Sequence, residues 1–146
     1  MKNMKLIGLS VVAGLIVGSA GVYYYNKKQT LPDFSNLSPR SSDATASSEF
    51  LNAQKSVEFY RDAIRRKPAV IKNYVELAQI YIQEARVTAL HHEYFPKAER
   101  LLNEALERDP NDFNALITKA GMQATLHQFE EAKQLASKAI SLNPYN

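Results

Sequence analysis

Residues Ala105–Asp112, ALERDPND, and residues Ala139–Asn146, AISLNPYN, follow the same pattern. A looser third copy, AIRRKPAV, spans Ala63–Val70. In each copy an alanine near the end of a helical apolar pattern is followed five residues later by a proline. Proline lacks the backbone N–H that a helix interior needs, so each copy predicts a helix end followed by a turn. The sequence therefore indicates a helical unit that recurs with proline at its boundary.

The residues between these prolines are spaced for helices. In the first segment, steps of three and four residues connect Phe50, Ala53, Val57, Tyr60 and Ile64. Either Ser47 or Ser48 can cap this helix, and Asp112 can cap the helix that follows Pro110. From residue 47 onward the apolar spacing is helical, so the sequence predicts an all-α domain over residues 47–146.

The spacing of the prolines points to a known family. Pro68, Pro110 and Pro144 lie 42 and 34 residues apart, and 34 residues is the period of the tetratricopeptide repeat, a two-helix unit. The copy over residues 113–146 has that family's large and small residues in order: Leu116, Ala120, Phe129, Ala132, Ala139 and Pro144. The copy over residues 71–112 has Tyr74, Leu77, Ala78, Tyr81, Phe95, Ala98, Ala105 and Pro110. Residues 47–70 keep only the second helix, with Tyr60, Ala63 and Pro68.

From residue 47 to 146 the chain thus resembles the tetratricopeptide repeat family. The resemblance implies an α-solenoid of about two and a half helix pairs, preceded by other segments. The chain departs from the family at His127, which replaces the usual turn glycine. We expect a left-handed backbone there, which histidine tolerates better than most residues.

The copy over residues 71–112 carries eight more residues than the family period. They fall within EARVTALHHEYFP, Glu84–Pro96. We expect one or two extra turns on the first helix, a loop around His91–Glu93, and a second helix that opens at Phe95 and Pro96. Insertion loops in repeat proteins often bind partners, so His91, His92 and Tyr94 are candidates for partner contact.

The N-terminal segment, residues 1–28, predicts a signal anchor. Residues 6–25 are twenty residues without a charge, which at about 1.5 Å per residue spans a bilayer core. Lysines flank this run and tyrosines form its C-terminal end, as at a membrane interface. The short N-terminal tail favours a repeat domain outside the cytoplasm. The enlarged copy over residues 71–112 resembles a variant of envelope-anchored bacterial repeat proteins, and this resemblance implies the cell envelope of a bacterium. The alternative is a cleaved signal peptide with Gly18-Ser19-Ala20 at its cleavage site.

Small residues in this segment lie four apart, at Ser10, Gly14 and Gly18. Such a stripe lets two membrane helices pack closely, so it is a candidate dimer contact. Residues 29–46 follow, with Pro32, Pro39, many serines and no helical apolar stripe. They predict a flexible linker.

Composition excludes several classes of function. The chain has no cysteine, which excludes disulfides, cysteine nucleophiles and thiolate metal sites. Four of its 18 Lys and Arg residues flank the apolar run, which leaves 14 against 15 Asp and Glu. The basic pI therefore belongs to the N-terminus and does not indicate nucleic-acid binding. We find no phosphate loop, nucleophile elbow or metal-ligand spacing around His91-His92-Glu93, and we expect no catalytic residue, cofactor or metal.

The family resemblance implies a concave groove along the first helix of each pair. The groove positions facing a peptide or protein partner would be Lys72, Glu76, Gln79, Gln83, Asn114, Thr118 and Thr125, with Val75, Ile82, Ile117, Gly121 and Ala124 beside them. Only Lys72 and Asn114 match the carboxylate-binding pattern of some family members, so we expect other recognition chemistry. The predicted function is a membrane-tethered protein-interaction scaffold. The alternatives are a structural or oligomerising spacer and a secreted binding protein.

The last predicted helix carries more apolar residues than its own pair can cover: Leu135, Ala136, Ala139, Ile140 and Leu142. Terminal repeats usually have a polar outer face. We therefore expect this face to be covered by a further repeat, in a longer array of which this chain is a part, or by another copy or protein.

Overall fold

The computed structural model describes residues 34–40 and 47–144, and their regular secondary structure is helical throughout. The helices are α1 (Ser48–Arg66), α2 (Ile71–Thr88), α3 (His91–Arg108), α4 (Phe113–Thr125) and α5 (Phe129–Leu142). The prediction of an all-α fold is confirmed for this part of the chain. The predicted anchor over residues 6–25, with Ser10, Gly14 and Gly18, lies outside the described residues. None of the five described helices is both long and apolar enough to cross a bilayer.

Side-chain caps and a left-handed residue set several helix ends as predicted. The Ser47 hydroxyl accepts a hydrogen bond from the backbone N–H of Phe50 at 3.2 Å. The Asp112 carboxylate accepts one from the N–H of Ala115 at 2.7 Å. His127 has a φ of 60°, in the left-handed region. These local rules fix where α1 and α4 begin and how the chain turns into α5.

Short connections fold each helix back on the one before it. Two residues separate α2 from α3, and three separate α4 from α5. The α2–α3 contact is the most extensive, and α4 packs on both α3 and α2. No backbone packing joins α1 to α3 directly.

The core lies mainly between α2 and α3. Its fully buried side chains are Tyr74, Leu77, Ala78, Tyr81, Ala85, Tyr94, Ala98, Leu101, Leu102 and Ala105. Alanines on both helices let the backbones approach closely, and the tyrosines and leucines fill the space beside them. In contrast, α5 buries only Ala132 and Ala139.

The predicted loop around His91–Glu93 is wrong, because these residues form the first turn of α3. Compared with α4 and α5, α2 is five residues longer, α3 is four longer, and their connection is one shorter. The eight extra residues are therefore almost all helical. Tyr94 and Phe95 are buried, and their packing extends the helix ahead of Pro96. Pro96 deprives only the carbonyl of His92 of its helical partner, and His92 is exposed to water.

The expectation of a flexible linker over residues 29–46 also needs correction where the structure describes it. Residues 34–40, hereafter the strap, have no regular secondary structure but lie against the helices. Phe34 is only 4% exposed and Leu37 only 6%. The physical reason is that these two side chains enter the apolar core, which anchors a segment otherwise rich in turn-forming residues.

Candidate functional site

An open groove runs between one face of α2 and one face of α4. It encloses about 490 Å³. Its lining residues recur at helical spacing on each helix: Gln79, Ile82, Gln83 and Arg86 on α2, and Ile117, Thr118, Gly121 and Met122 on α4. We call this the α2–α4 groove.

The groove combines apolar surface with amide, hydroxyl and cationic groups. Gln79 donates a hydrogen bond to the Thr118 hydroxyl at 3.2 Å, which links the two helices across the groove. Ile117 is 43% exposed. Arg86 is the one charged residue in the lining, and none of the described residues forms an ion pair with it. Such a surface can bury apolar side chains of a ligand and hydrogen-bond its backbone.

Gly121 leaves free space on the α4 side of the groove. A Cβ atom built on Gly121 would meet no other atom within 4 Å. A larger side chain at this position would therefore project into the groove without disturbing the helix. This makes Gly121 a position from which the groove can be filled by substitution.

Three of the seven predicted groove residues line the α2–α4 groove, namely Gln79, Gln83 and Thr118. Lys72 does not line the groove, because α4 does not extend far enough to face it. Gln79 lies opposite Thr118, the sixth residue of α4. Lys72 is seven residues before Gln79, so the position opposite Lys72 falls before the start of α4. Asn114 is also absent from the lining.

Glu76 and Thr125 make other contacts. Glu76 lies near Tyr60 of α1, where burial first and the Glu76 charge second raise the pKa of the phenol. Thr125 donates to the carbonyl of Gly121 in its own helix at 3.0 Å. Arg86 and Met122 were not predicted as lining residues. Continuing the helical spacing from Gln79 and Gln83 would have found Arg86.

The three residues predicted for an insertion loop, His91, His92 and Tyr94, lie in the first turn of α3 instead. The two histidines are on the surface, and the tyrosine is in the protein core. His91 is exposed and its ring stacks on Phe95 at 4.9 Å. His92 is exposed as well. Tyr94 is fully buried, and its hydroxyl accepts a hydrogen bond from the backbone N–H of Ser38 at 2.9 Å.

The strap forms a second cluster of polar contacts that sequence reasoning missed. The Tyr81 hydroxyl donates to the carbonyl of Ser35 at 2.6 Å. The N–H of Leu37 donates to the Gln54 side chain at 3.0 Å. The Ser38 hydroxyl donates to Glu93 at 2.6 Å. These bonds, with a further one between Arg61 and Asn36, connect the strap to α1, α2 and α3.

The strongest contact of the strap is an ion pair between Arg40 and Glu84. The Arg40 guanidinium donates through Nε to one carboxylate oxygen at 2.8 Å and through Nη2 to the other at 2.7 Å. The Glu84 side chain is only 2% exposed. The Glu84 hydrogen bond is the main reason that the pKa of Arg40 is raised above its ordinary value. Arg40 also lies over the Phe50 ring, 5.5 Å from its centroid.

The second acidic contact, Glu93, has a pKa below its ordinary value. The Ser38 hydrogen bond is the largest cause, and the hydrogen bond and charge of Lys97 add to it. Burial of the carboxyl acts in the opposite direction. Glu93 is therefore held as a carboxylate by a strap residue and by a lysine of its own helix.

The described residues contain no group of three or more His, Cys, Asp and Glu that could hold a metal ion. The absence of catalytic residues, metal and cofactor stays a prediction of the sequence.

Comparison with known proteins gives no assignment: no family model matches the chain, and no curated protein or solved structure matches it. The tetratricopeptide resemblance therefore rests on the residue pattern alone.

Proposed function

We propose that this chain is a membrane-tethered scaffold of the tetratricopeptide type, which binds a segment of a partner protein in the α2–α4 groove. The observation that carries the proposal is the open, mixed lining of that groove with free space at Gly121. A protein whose task is to bind needs such a surface and no reactive group, so we propose no catalytic activity.

The lining suggests what the partner segment supplies. Ile82, Ile117 and Met122 offer apolar area to one or two apolar side chains of the partner. Gln79, Gln83 and Thr118 offer amide and hydroxyl groups to its polar backbone. Burial of the apolar part contributes affinity at about 25 cal/mol per Å², while the polar groups fix orientation.

The tether is the predicted anchor over residues 6–25, with the repeat domain outside the cytoplasm. This part of the proposal rests on the uncharged length of that segment and its flanking lysines. Its alternative is a soluble secreted binding protein formed by signal cleavage after Ala20. The intact mass of the mature chain, measured by mass spectrometry, separates the two.

A second candidate function is that of a structural or oligomerising element. It is favoured by the outer side of α5, where Phe129 is 64% exposed and Ile140 62% exposed. These two residues are eleven apart and therefore lie on one face of the helix, and contiguous exposed apolar surface is typical of an interaction site. Under this alternative a second copy covers α5 and the α2–α4 groove is incidental.

Photo-crosslinking from the groove tests the first proposal. A photoreactive amino acid replaces Ile117 in the full chain, and in a matched control it replaces Glu107, which is exposed on α3. We expect a discrete adduct with another protein from position 117 and none from position 107. Adding Gly121→Leu should remove the adduct, because leucine fills the groove, whereas Gly121→Ala should retain most of it.

Two outcomes would contradict the scaffold proposal. An adduct that contains only two copies of this chain would favour the oligomerising alternative. An adduct with another protein that survives Gly121→Leu unchanged would place the contact outside the groove.

A further inference from the structure

The strap makes its apolar and ionic contacts with every third residue: Phe34 and Leu37 are buried, and Arg40 forms the ion pair with Glu84. Ser35, Asn36 and Ser38, which lie between them, add hydrogen bonds to the helices. A period of three is that of the polyproline II conformation, which has no internal hydrogen bonds. Peptides that bind in an extended form likewise place spaced side chains in pockets and bond their backbone to the receptor.

The surface that receives the strap has the composition of a peptide-binding site. We call it the strap trough, and it consists of Phe50 and Gln54 of α1, Tyr81 and Glu84 of α2, and Glu93 and Tyr94 of α3. Three of its six residues are aromatic, and the other three supply convergent polar groups. Residues 81 and 84 lie on the opposite side of α2 from the residues that line the α2–α4 groove, because each residue advances the helix by about 100°.

The buried polar groups of the strap trough indicate a role beyond packing. Tyr81 and Tyr94 are fully buried and Glu84 nearly so, yet the contacts described for the Tyr94 hydroxyl and the Glu84 carboxylate lead to the strap. A buried carboxylate without its cation would be strongly unfavourable. An apolar residue at position 84 would cover the core without this requirement. The trough is therefore built to recognise an arginine and a peptide backbone.

We propose that the strap trough is a peptide-recognition site in its own right, filled in cis by residues 34–40. Its ligand class is an extended segment with two apolar residues three apart and an arginine three residues further on. The strap behaves as a bound ligand of the α1–α3 helices and closes a surface that these helices leave open. Arginine is required at the last position, because its planar fork bonds both oxygens of Glu84 and lysine cannot.

Cutting the chain behind the strap tests this directly. A site for a sequence-specific protease is inserted between Thr45 and Ala46 of the full chain, which is purified in detergent and cleaved. The N-terminal piece is immobilised and release of the C-terminal piece is followed over time. We expect the two pieces to stay associated, and an excess of the synthetic peptide FSNLSPR, residues 34–40, to displace the immobilised one.

Variants separate recognition from simple adhesion of the pieces. Glu84→Gln should weaken the association about tenfold or more, because two charge-assisted bonds lose their anion. Arg40→Lys should weaken it in the same direction. Glu107→Gln, a matched change on the exposed side of α3, should leave it unchanged.

Three results would overturn the proposal. The first is that the pieces separate at once while the C-terminal piece keeps its helical circular dichroism. This result would show that the trough does not bind the strap as a ligand. The second is that the C-terminal piece unfolds on cleavage. This result would show that the strap is a part of the core and not a ligand. The third is that the pieces associate, but neither the peptide nor Glu84→Gln alters that association.

Discussion

The two helix pairs of this molecule share a plan but differ in how well they are covered. The pair α2–α3 has 18 residues in each helix, and α4–α5 has 13 and 14. In the first pair α3 alone buries Tyr94, Phe95, Ala98, Leu101, Leu102 and Ala105. In the second, α5 buries two alanines and exposes Phe129, Ile140 and Leu142.

The difference follows from the number of neighbours. The first pair is covered by α1 and the strap on one side and by α4 on the other. Among the described helices, α5 packs only on α4. A helix pair has two faces and cannot bury both by itself. Stability should therefore concentrate in α2–α3, and substitutions of like kind should have unlike effects in the two pairs.

The sharpest contrast is between truncation of a buried leucine in α3 and of an exposed isoleucine in α5. We expect Leu102→Ala to lower the free energy of unfolding by roughly 2–5 kcal/mol, because it leaves a cavity in a fully buried site. Ile140→Ala should change it by about 0.5 kcal/mol or less, since that side chain is largely in water. Urea denaturation of both variants measures the two losses in the free energy of unfolding. Equal losses would mean that α5 is covered by something in solution.

Removing the strap's ion pair should have the next largest effect. We expect Glu84→Gln to destabilise by about 2–3 kcal/mol, since Arg40 is then left without its buried anion. The double variant Arg40→Met, Glu84→Met should recover part of this loss, because no charge remains buried. Thermal melts of the two variants and the parent check both values. A double variant at least as unstable as Glu84→Gln would argue against direct pairing.

A single substitution should stabilise the second helix pair, α4–α5. Gly121→Ala should raise the free energy of unfolding by about 0.5–1 kcal/mol, because alanine restricts the unfolded chain and nothing in the groove opposes its Cβ. Chemical denaturation measures this change. A loss of stability would mean that the space beside Gly121 is filled in solution.

The smallest predicted effect concerns the third residue of α3 and of α5, which is a glutamate in both. The pKa of Glu93 is lowered mainly by Ser38, and that of Glu131 mainly by Gln123 with Lys119. A carboxyl with a lowered folded pKa stabilises the fold above its unfolded pKa, and this stabilisation is lost as the pH falls through the folded pKa.

We therefore expect Glu93→Gln to flatten the decline of stability below the ordinary Glu pKa of 4.5. Glu131→Gln should flatten it less, because Glu131 is 44% exposed and screened by water. Urea titrations from about pH 3 to pH 6 provide the measurement. A flattening at Glu131 as large as at Glu93 would contradict the role of the strap.

Local rules predicted the described helices well and long-range contacts poorly. Ser47, Asp112 and His127 act through residues within one turn, so their roles could be inferred from the sequence. The start of α3 was misplaced because the preference of Pro96 for a first turn is also local. It was overridden by the packing of Tyr94 and Phe95 against α2.

The candidate sites follow the same division. Helical spacing located Gln79, Gln83 and Thr118 on one surface. The strap was missed because Phe34 and Leu37 are only two apolar residues in a segment rich in proline and serine, and their partners lie far along the chain. One signal was available: Glu84 occupies a position where the stripe of Tyr81 and Ala85 calls for an apolar residue. A charge there indicates a distant partner, but not which one.

The position of the strap in the sequence also affects the order in which parts of the chain are synthesised and fold. Its bond from Ser38 to Tyr94 spans 56 residues, so the strap leaves the ribosome long before its trough exists. At about 5–20 residues per second, synthesis of the missing helices takes roughly 3–11 s. During that interval Phe34 and Leu37 are accessible to chaperones or to neighbouring chains. We expect the docking of this early segment to follow the formation of the local helix pairs, because closing a long loop costs more entropy than closing a short one.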